Sequence, residues 1–226
     1  MDYLNYTYKK NVQCNYTGMD ALYRNLCNYP ELQRMIDFLS YPYPISYNYN
    51  DRGFRDHNWP DDLSDVIWCV GDSFTAGIGV PSKHRWTNIL QNKLNKRCIN
   101  LGIDGASNEL IRNICLQILR EYNPKTLIPM WTFFHRRHED PWNLIHNRTN
   151  FNPTVDFKNF LNCFGEVNIN SLCCNTVHLL IPPQPIELPQ DIDIFQTTIL
   201  DVGRDGYHFD YKTAEIYVDH ILSKLT

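Results

Sequence analysis

Hydrophobic and polar positions alternate in blocks from residue 66 to the end of the chain. The first apolar block, Val66 to Val70, is rich in β-branched and aromatic residues and stops at Gly71, as a buried strand does. Further strands are predicted at about 97–101, 126–131, 176–181 and 194–200. Helical spacing of apolar residues occurs at about 84–96, 108–122, 155–164 and, after a cap at Thr213, 214–225. This alternation predicts an α/β fold with a doubly wound parallel sheet of about five strands.

Residues 1–60 lack this alternation and are rich in Tyr and Asn. Apolar positions between Ala21 and Leu39 predict one or two helices, and prolines then punctuate an irregular stretch. A separate domain of about 60 residues would bury only a marginal core. We therefore expect residues 1–60 to form an N-terminal arm that packs on a single domain at 61–226.

Composition and charge argue against several classes of function. The chain has 226 residues, 43% hydrophobic and 20% charged, as is ordinary for a soluble globular protein. Its net charge of −4 and the lack of a basic stripe argue against nucleic acid as a partner. No apolar run approaches the ~18 residues of a membrane span, and the N-terminus has no secretory pattern, so we expect a cytoplasmic protein without membrane contact. The eight cysteines include no CxxC pair and are expected to be reduced.

Polar loops follow three of the predicted strands, and a fourth polar loop precedes the last helix; all but the third of these loops contain glycine. They span residues 71–75, 102–108, 131–139 and 201–208. In a doubly wound sheet these loops converge at the carboxyl edge, where ligands bind. They bring a hydroxyl, backbone N–H groups at glycines, and an Asp three residues before a His, which are the parts that acyl transfer requires. The Gly-x-Ser-x-Gly elbow of α/β-hydrolases is absent.

Three of these segments resemble the first, second and fifth sequence blocks of the SGNH (GDSL-like) hydrolases. They are Gly71-Asp-Ser-Phe, Asn100-Leu-Gly-Ile-Asp-Gly105 and Asp205-Gly-Tyr-His208. Asn50-x-x-Gly-Phe-Arg55 is also similar to a lead-in seen in many members, so the resemblance covers about residues 45–226. It implies a flavodoxin-like, three-layer α/β/α fold and ester hydrolysis without a metal or another cofactor.

The resemblance also implies a role for each matching residue. Ser73 would be the nucleophile, His208 the general base and Asp205 the acid that orients His208. The backbone N–H groups of Ser73 and Gly105 would form part of the oxyanion hole.

The third block departs from the family pattern. The family usually has Gly-x-Asn-Asp after the third strand, and the Asn side chain is the third oxyanion donor, whereas this chain has Trp131-Thr-Phe-Phe-His-Arg136. Thr132 and Arg136 follow the correct strand and are the preferred replacements, ahead of Asn108. A Trp-Thr-x-x-x-Arg variant of this block resembles phage-type and environmental relatives, so a viral or phage origin and association with a virion are further expectations.

Other polar side chains have simpler interpretations. Asp201 could replace Asp205 as the acid that orients His208, but it is better explained as a turn residue. Asp72 is expected to bond the backbone of the turn at Gly71-Asp72-Ser73, which we call the nucleophile turn after the role expected of Ser73. A metal site is one interpretation of a polar cluster that consists of His135, His138, Glu139, Asp140 and His146. The spacing of these residues matches no ligand set, so we expect a solvated loop. Core positions are expected for Cys173, Cys174 and His178. The aromatic residues Trp131, Phe133, Phe134 and Trp142 suit either the core or stacking on a sugar.

The sequence therefore predicts a serine esterase that removes a small acyl group, in the first place acetyl, from a small-molecule or glycan ester. One alternative is a binding or assembly module that kept the fold without activity, and the altered third block motivates it. An acyltransferase that uses the same site is a further alternative.

Overall fold

The computed structural model describes residues 2–6, 9–15, 45–136, 152–181 and 188–225. The strands are β1 Gln13–Asn15, β2 Ser46–Asn48, β3 Ile67–Gly71, β4 Cys98–Gly102, β5 Thr126–Trp131, β6 Asn175–Thr176, β7 His178–Leu180 and β8 Ile194–Phe195. The α-helices are α1 Ser73–Ala76, α2 Trp86–Leu94, α3 Asn108–Tyr122, α4 Pro153–Asn170 and α5 Tyr211–Leu225, with a 3-10 helix at Ser82–His84. The helices predicted between Ala21 and Leu39, and the residues His138, Glu139, Asp140, Trp142 and His146, lie outside the described residues.

A parallel sheet with the strand order β4-β3-β5-β7-β8 forms the centre of the molecule. β6 pairs with β5 just before β7, and Val177 between them donates its N–H to Leu127 O at 3.1 Å. The chain runs from β3 outward to β4 and then crosses back to β5 on the other side of β3. The loops after β3 and β5 therefore flank the point where the strand order reverses, which is where ligands bind in such sheets. The α/β prediction is confirmed.

Alternate residues of the strands face opposite sides of the sheet and form two cores. One face includes Trp68, Val70 and Leu127, and α3 and α4 cover it. The opposite face includes Ile67, Cys69 and Met130, and α2 and α5 cover it. The result is a helix–sheet–helix arrangement of three layers, as the sequence resemblance implies.

Three predicted elements need correction. The strand predicted at 194–200 is present only at Ile194–Phe195. α4 is longer than the predicted 155–164, because Asn152 caps it by accepting from Val155 N–H and Pro153 occupies its first turn. Thr213 is not the cap of α5. The helix begins two residues earlier, and Asp201 accepts from the backbone N–H groups of Lys212 and Thr213 at 2.7 and 2.9 Å and from the Thr213 hydroxyl at 2.7 Å.

The described parts of residues 1–60 contact the sheet and its helices. Leu4 is fully buried in the same core as Trp68, and Tyr3 N–H donates to Gln117 Oε1 at 2.8 Å. Tyr47, on β2, accepts a hydrogen bond from Gly79 N–H at 2.6 Å. In the described parts of the chain, no helix has the length and apolar content that crossing a membrane requires.

Gly102, the last residue of β4, lies directly against the backbone of α1. A Cβ added there would come within 2.1 Å of Ala76 N, so we expect Gly102→Ala to lower the free energy of unfolding by about 2–4 kcal/mol. Gly165→Ala in α4 is the matched control, because a Cβ added there meets nothing within 4 Å. Ala is more favourable than Gly inside a helix by up to ~1 kcal/mol, so this variant should be at least as stable as wild type. Urea denaturation measures both variants, and equal stabilities would contradict the packing described here.

His178 on β7 is a core residue, as predicted. Trp131 Nε1 donates to its Nδ1 at 3.2 Å, and burial lowers the pKa of His178 from 6.5 to about 4. Between these two pH values the unfolded chain binds a proton that the folded chain does not, so stability falls as the pH falls from 6.5 to 4, by about 3 kcal/mol from this group.

We expect His178→Gln, which keeps an acceptor for Trp131, to remove this part of the acid sensitivity. The measurement is the free energy of unfolding at pH 7 and pH 4 for wild type and variant. The exposed His135, changed to Gln, is the control. A variant that keeps the wild-type loss of stability between the two pH values would count against a neutral buried His178.

Candidate active site

Ser73 occupies a tight turn between β3 and α1. Asp72 caps the short helix by accepting from Phe74 N–H at 3.0 Å, and Gly77 ends it in the left-handed conformation at φ 71°. Gly71 precedes the turn, where a Cβ would lie 2.1 Å from Thr75 Oγ1. The sequence Gly71-Asp72-Ser73 therefore forms a sharp strand-to-helix turn, and the Ser73 side chain lies at the carboxyl edge of the sheet with 1% of the residue exposed.

Asp205 and His208 form a buried acid–base pair on the loop before α5. The Asp205 carboxylate accepts from His208 Nδ1 and from the backbone N–H groups of Tyr207 and His208, each at 3.0 Å. Three hydrogen bonds hold this carboxylate in one orientation. In the described parts of the chain, His208 Nε2 is buried without a hydrogen-bond partner. The imidazole thus donates through Nδ1, which leaves Nε2 as the nitrogen able to accept a proton.

The nucleophile turn and the Asp205–His208 loop pack against each other. The rings of Phe74 and His208 are 4.6 Å apart, and Arg204 N–H donates to Gly79 O at 2.9 Å. A Cβ added at Gly79 would lie 2.5 Å from Asp205 Cγ. Among the described residues, no hydrogen bond joins Ser73 Oγ to His208 Nε2. Catalytic hydrogen bonds of this kind tighten when substrate binds.

The backbone N–H groups of Ser73 and Gly105 donate to no acceptor in the described parts of the chain. Gly105 lies in the turn after β4 with φ 76°, a conformation that favours glycine. Ile103 N–H donates to Gly71 O at 3.0 Å, which holds this turn beside the nucleophile turn. These are the two amides that the sequence resemblance assigns to the oxyanion hole.

The end of β5 is bonded to the residue before Ser73. Thr132 Oγ1 donates to Asp72 Oδ2 at 2.5 Å, and Arg136 Nη1 donates to the same oxygen at 2.7 Å and to Thr132 Oγ1 at 2.9 Å. The Arg136 guanidinium also lies 4.9 Å from the centre of the Phe133 ring. Both preferred replacements for the missing Asn therefore lie beside the nucleophile turn, and the hydroxyl hydrogen of Thr132 is engaged by Asp72.

Asn108, the third candidate donor, holds the end of β5 in place. Its Oδ1 accepts from Thr132 N–H at 2.9 Å, and its Nδ2 donates to the carbonyl oxygens of Thr132 and Phe133 at 3.3 and 3.4 Å. The residue is fully buried. All of its hydrogen-bonding groups serve the backbone, so Asn108 is a structural residue rather than a donor to a ligand.

Arg55 supports the nucleophile turn from the other side, a role that the sequence analysis did not identify. Its guanidinium donates to the carbonyl oxygens of Ala76, Gly77 and Val80, the last at 2.9 Å. Asn50, at the start of the same motif, accepts from the N–H groups of Arg52 and Phe54 at 3.0 Å each. The Asn-x-x-Gly-Phe-Arg spacing could have signalled this turn, but not the contact with residues 76–80.

The remaining candidates serve the fold. Asp201 caps α5, and Asp72 supports the nucleophile turn as predicted. Trp131 and Phe134 are buried in the core. The predicted core positions of Cys173 and Cys174 are wrong, because the turn between α4 and β6 leaves Cys173 exposed and Cys174 half-buried. Among the described residues, no group of three or more His, Cys, Asp or Glu side chains is arranged to hold a metal ion, and each of the seven described cysteines is free.

Asp72 carries a fully buried charge that depends on Arg136 and Thr132. Removing the charge breaks the buried ion pair with Arg136, so we expect Asp72→Asn to lower the free energy of unfolding by about 2–4 kcal/mol. Asp104 is an exposed carboxylate on the neighbouring loop, and Asp104→Asn is the control. We expect this variant to change the free energy of unfolding by less than ~0.5 kcal/mol. Equal urea midpoints for the two variants would argue against the buried ion pair.

Comparisons with known proteins give structural matches only. No family model and no curated protein matches the chain. Similar solved structures include TesA, with 14% identity over 71% of this chain and 98% of that chain and a TM-score of 0.46. The psychrotrophic esterase EstA from Pseudoalteromonas sp. has 15% identity over 72% and 97%, with a TM-score of 0.47. AlinE4, an SGNH-hydrolase family esterase, has 17% identity over 73% and 75%, with a TM-score of 0.37.

Proposed function

We propose that the protein is a serine esterase in which Ser73, His208 and Asp205 form the catalytic triad. The observation that carries the proposal is the buried Asp205–His208 pair, which packs on the nucleophile turn and leaves His208 Nε2 without a partner. A buried nitrogen that bonds nothing in the protein is costly, and catalysis is a reason to keep it.

In the proposed reaction, Ser73 Oγ attacks the ester carbonyl while His208 Nε2 takes its proton. The Asp205 carboxylate keeps the proton of Nδ1 in place and stabilises the imidazolium that forms. The amides of Ser73 and Gly105 donate to the oxyanion, and the third donor is assigned to the Thr132–Arg136 end of β5. His208 then protonates the leaving alcohol, and a water molecule activated by the same nitrogen hydrolyses the acyl-enzyme.

The surroundings of Ser73 favour a small acyl group, and we propose acetyl. Only 1% of Ser73 is exposed, and the ring of the next residue, Phe74, lies 6.5 Å from that of Phe133 and 5.9 Å from that of Tyr207. Tyr207, next to His208, is 46% exposed, and its ring lies 6.5 Å from that of Phe133. An exposed aromatic ring at the rim of a site suits the apolar face of a sugar, which supports a carbohydrate as the acetylated alcohol.

The first test is covalent labelling with a fluorophosphonate, followed by mass spectrometry of the peptides. We expect an adduct on Ser73 and none in Ser73→Ala. In p-nitrophenyl acetate hydrolysis, Asp205→Asn should lower kcat by about 10⁴-fold, because the wrong nitrogen of His208 then carries the proton. Asp201→Asn, which alters only the cap of α5, is the control and should keep the wild-type kcat.

The outcome also separates the alternatives. A folded protein that is not labelled at Ser73 and hydrolyses p-nitrophenyl acetate no faster than Ser73→Ala would refute the esterase and favour a binding module. Labelling at Ser73 together with acyl transfer to an added sugar, in place of hydrolysis, would favour an acyltransferase.

A further inference from the structure

A second group of charged side chains lies behind the nucleophile turn, and its charges do not balance. Arg55 and Arg85 are almost fully buried, at 2% and 4% exposure. The carboxylate beside them, Asp56, is already paired with Arg97 at 2.8 Å and accepts from Asn100 N–H at 2.9 Å. In the described parts of the chain, neither Arg55 nor Arg85 forms a salt bridge with a carboxylate.

Neutral groups satisfy part of the hydrogen-bonding capacity of the two arginines but bring no negative charge. Arg55 donates to backbone carbonyls and lies 3.5 Å from the centre of the Tyr47 ring. Arg85 donates through Nη1 to Arg55 O, whereas its Nε is buried without a partner. Burial, and then the charge of Arg85, lowers the pKa of Arg55 to about 9, and burial also lowers the pKa of Arg85. Two guanidinium groups thus share a poorly solvated region.

A small cavity adjoins both arginines. It has a volume of about 40 Å³ and is lined by Ser46, Asn48, Arg55, Asp56, His57, Ser82 and Arg85. A cavity needs only ~10–15 Å³ of such volume to hold one water molecule, so this one has room for about three water molecules or one small ion. Six of the seven lining side chains can donate hydrogen bonds, as an anion requires, and the carboxylate of Asp56 is already bonded to Arg97 and to Asn100 N–H.

We propose that this cavity is a binding site for a small monoatomic anion of the chloride class, whose negative charge offsets the charges of Arg55 and Arg85. A buried charge is stable when it is paired, and an anion in this cavity would lie beside both arginines. The site is separate from the proposed catalytic residues and does not depend on the esterase proposal.

The bound anion would act on the nucleophile turn through the two arginines. Arg55 holds the carbonyl oxygens of Ala76, Gly77 and Val80, and a Cβ added at Gly77 would lie 2.3 Å from Arg85 Cγ, so the stem of Arg85 packs against the same turn. A ligand that binds only the folded protein stabilises it in proportion to its concentration over its Kd. Chloride should therefore stabilise the fold and keep the turn in its folded position.

The test is the melting temperature of the full-length protein in increasing sodium chloride or sodium gluconate at matched ionic strength. Gluconate is too large for the cavity. We expect a saturable rise in Tm of about 2–4 °C in chloride beyond that in gluconate. Sodium bromide should reproduce the rise, and crystals grown in bromide should show an anomalous peak between Arg55 and Arg85.

Two variants separate this site from general effects of salt. Arg85→Gln should abolish the difference in Tm between chloride and gluconate. Arg112 lies on α3 away from the cavity, and Arg112→Gln should keep that difference. If Arg85→Gln does not fold, the bromide peak in wild-type crystals decides. Coincident Tm curves in the two salts, a rise with sulfate alone, or bromide crystals without a peak in this cavity would overturn the proposal.

Discussion

The contact between the nucleophile turn and the glycine that ends β4 is the constraint on which the rest of the site depends. Backbone meets backbone there, since even a methyl group at Gly102 would lie 2.1 Å from Ala76 N. Asn100, two residues earlier, donates to Thr75 O at 2.7 Å and accepts from Gly102 N–H at 2.9 Å, which fastens the same contact. The turn consequently has one position relative to the sheet, and Ser73 is held at the carboxyl edge.

Buried polar side chains then join the separate loops to this turn. Asp72 bonds the end of β5, Arg55 bonds the carbonyl oxygens of residues 76–80, and Asp205 packs against Gly79. A buried polar group is costly unless each of its atoms has a partner, so such a network permits few arrangements of the loops. Apolar packing forms the two cores on either side of the sheet, while this polar network sets the geometry of the site.

The altered third block has a physical explanation in this network. Thr132 and Arg136 both donate to Asp72 Oδ2, so the Trp-Thr-x-x-x-Arg segment satisfies the carboxylate oxygen of Asp72 that does not cap α1. The nucleophile turn is thereby held by an arginine on each side, Arg136 through Asp72 and Arg55 through the carbonyl oxygens. The two arrangements differ in charge, because Arg136 has a carboxylate partner, whereas Arg55 has none among the residues that the structure describes.

The sequence by itself determined the fold class, most of the sheet and its helices, and the residues proposed for the triad. Strand and helix periodicity is a local property, so α3 and β5 were predicted at their observed bounds, and the glycines next to Asp72 and Ile103 marked the turns. Only the tertiary structure decided that Asp201 caps α5 and that Asn108 bonds the backbone at the end of β5. It also decided that Thr132 and Arg136 both donate to the same carboxylate oxygen of Asp72. These facts depend on contacts between residues 11 to 64 positions apart, and no local pattern specifies which buried polar groups will meet.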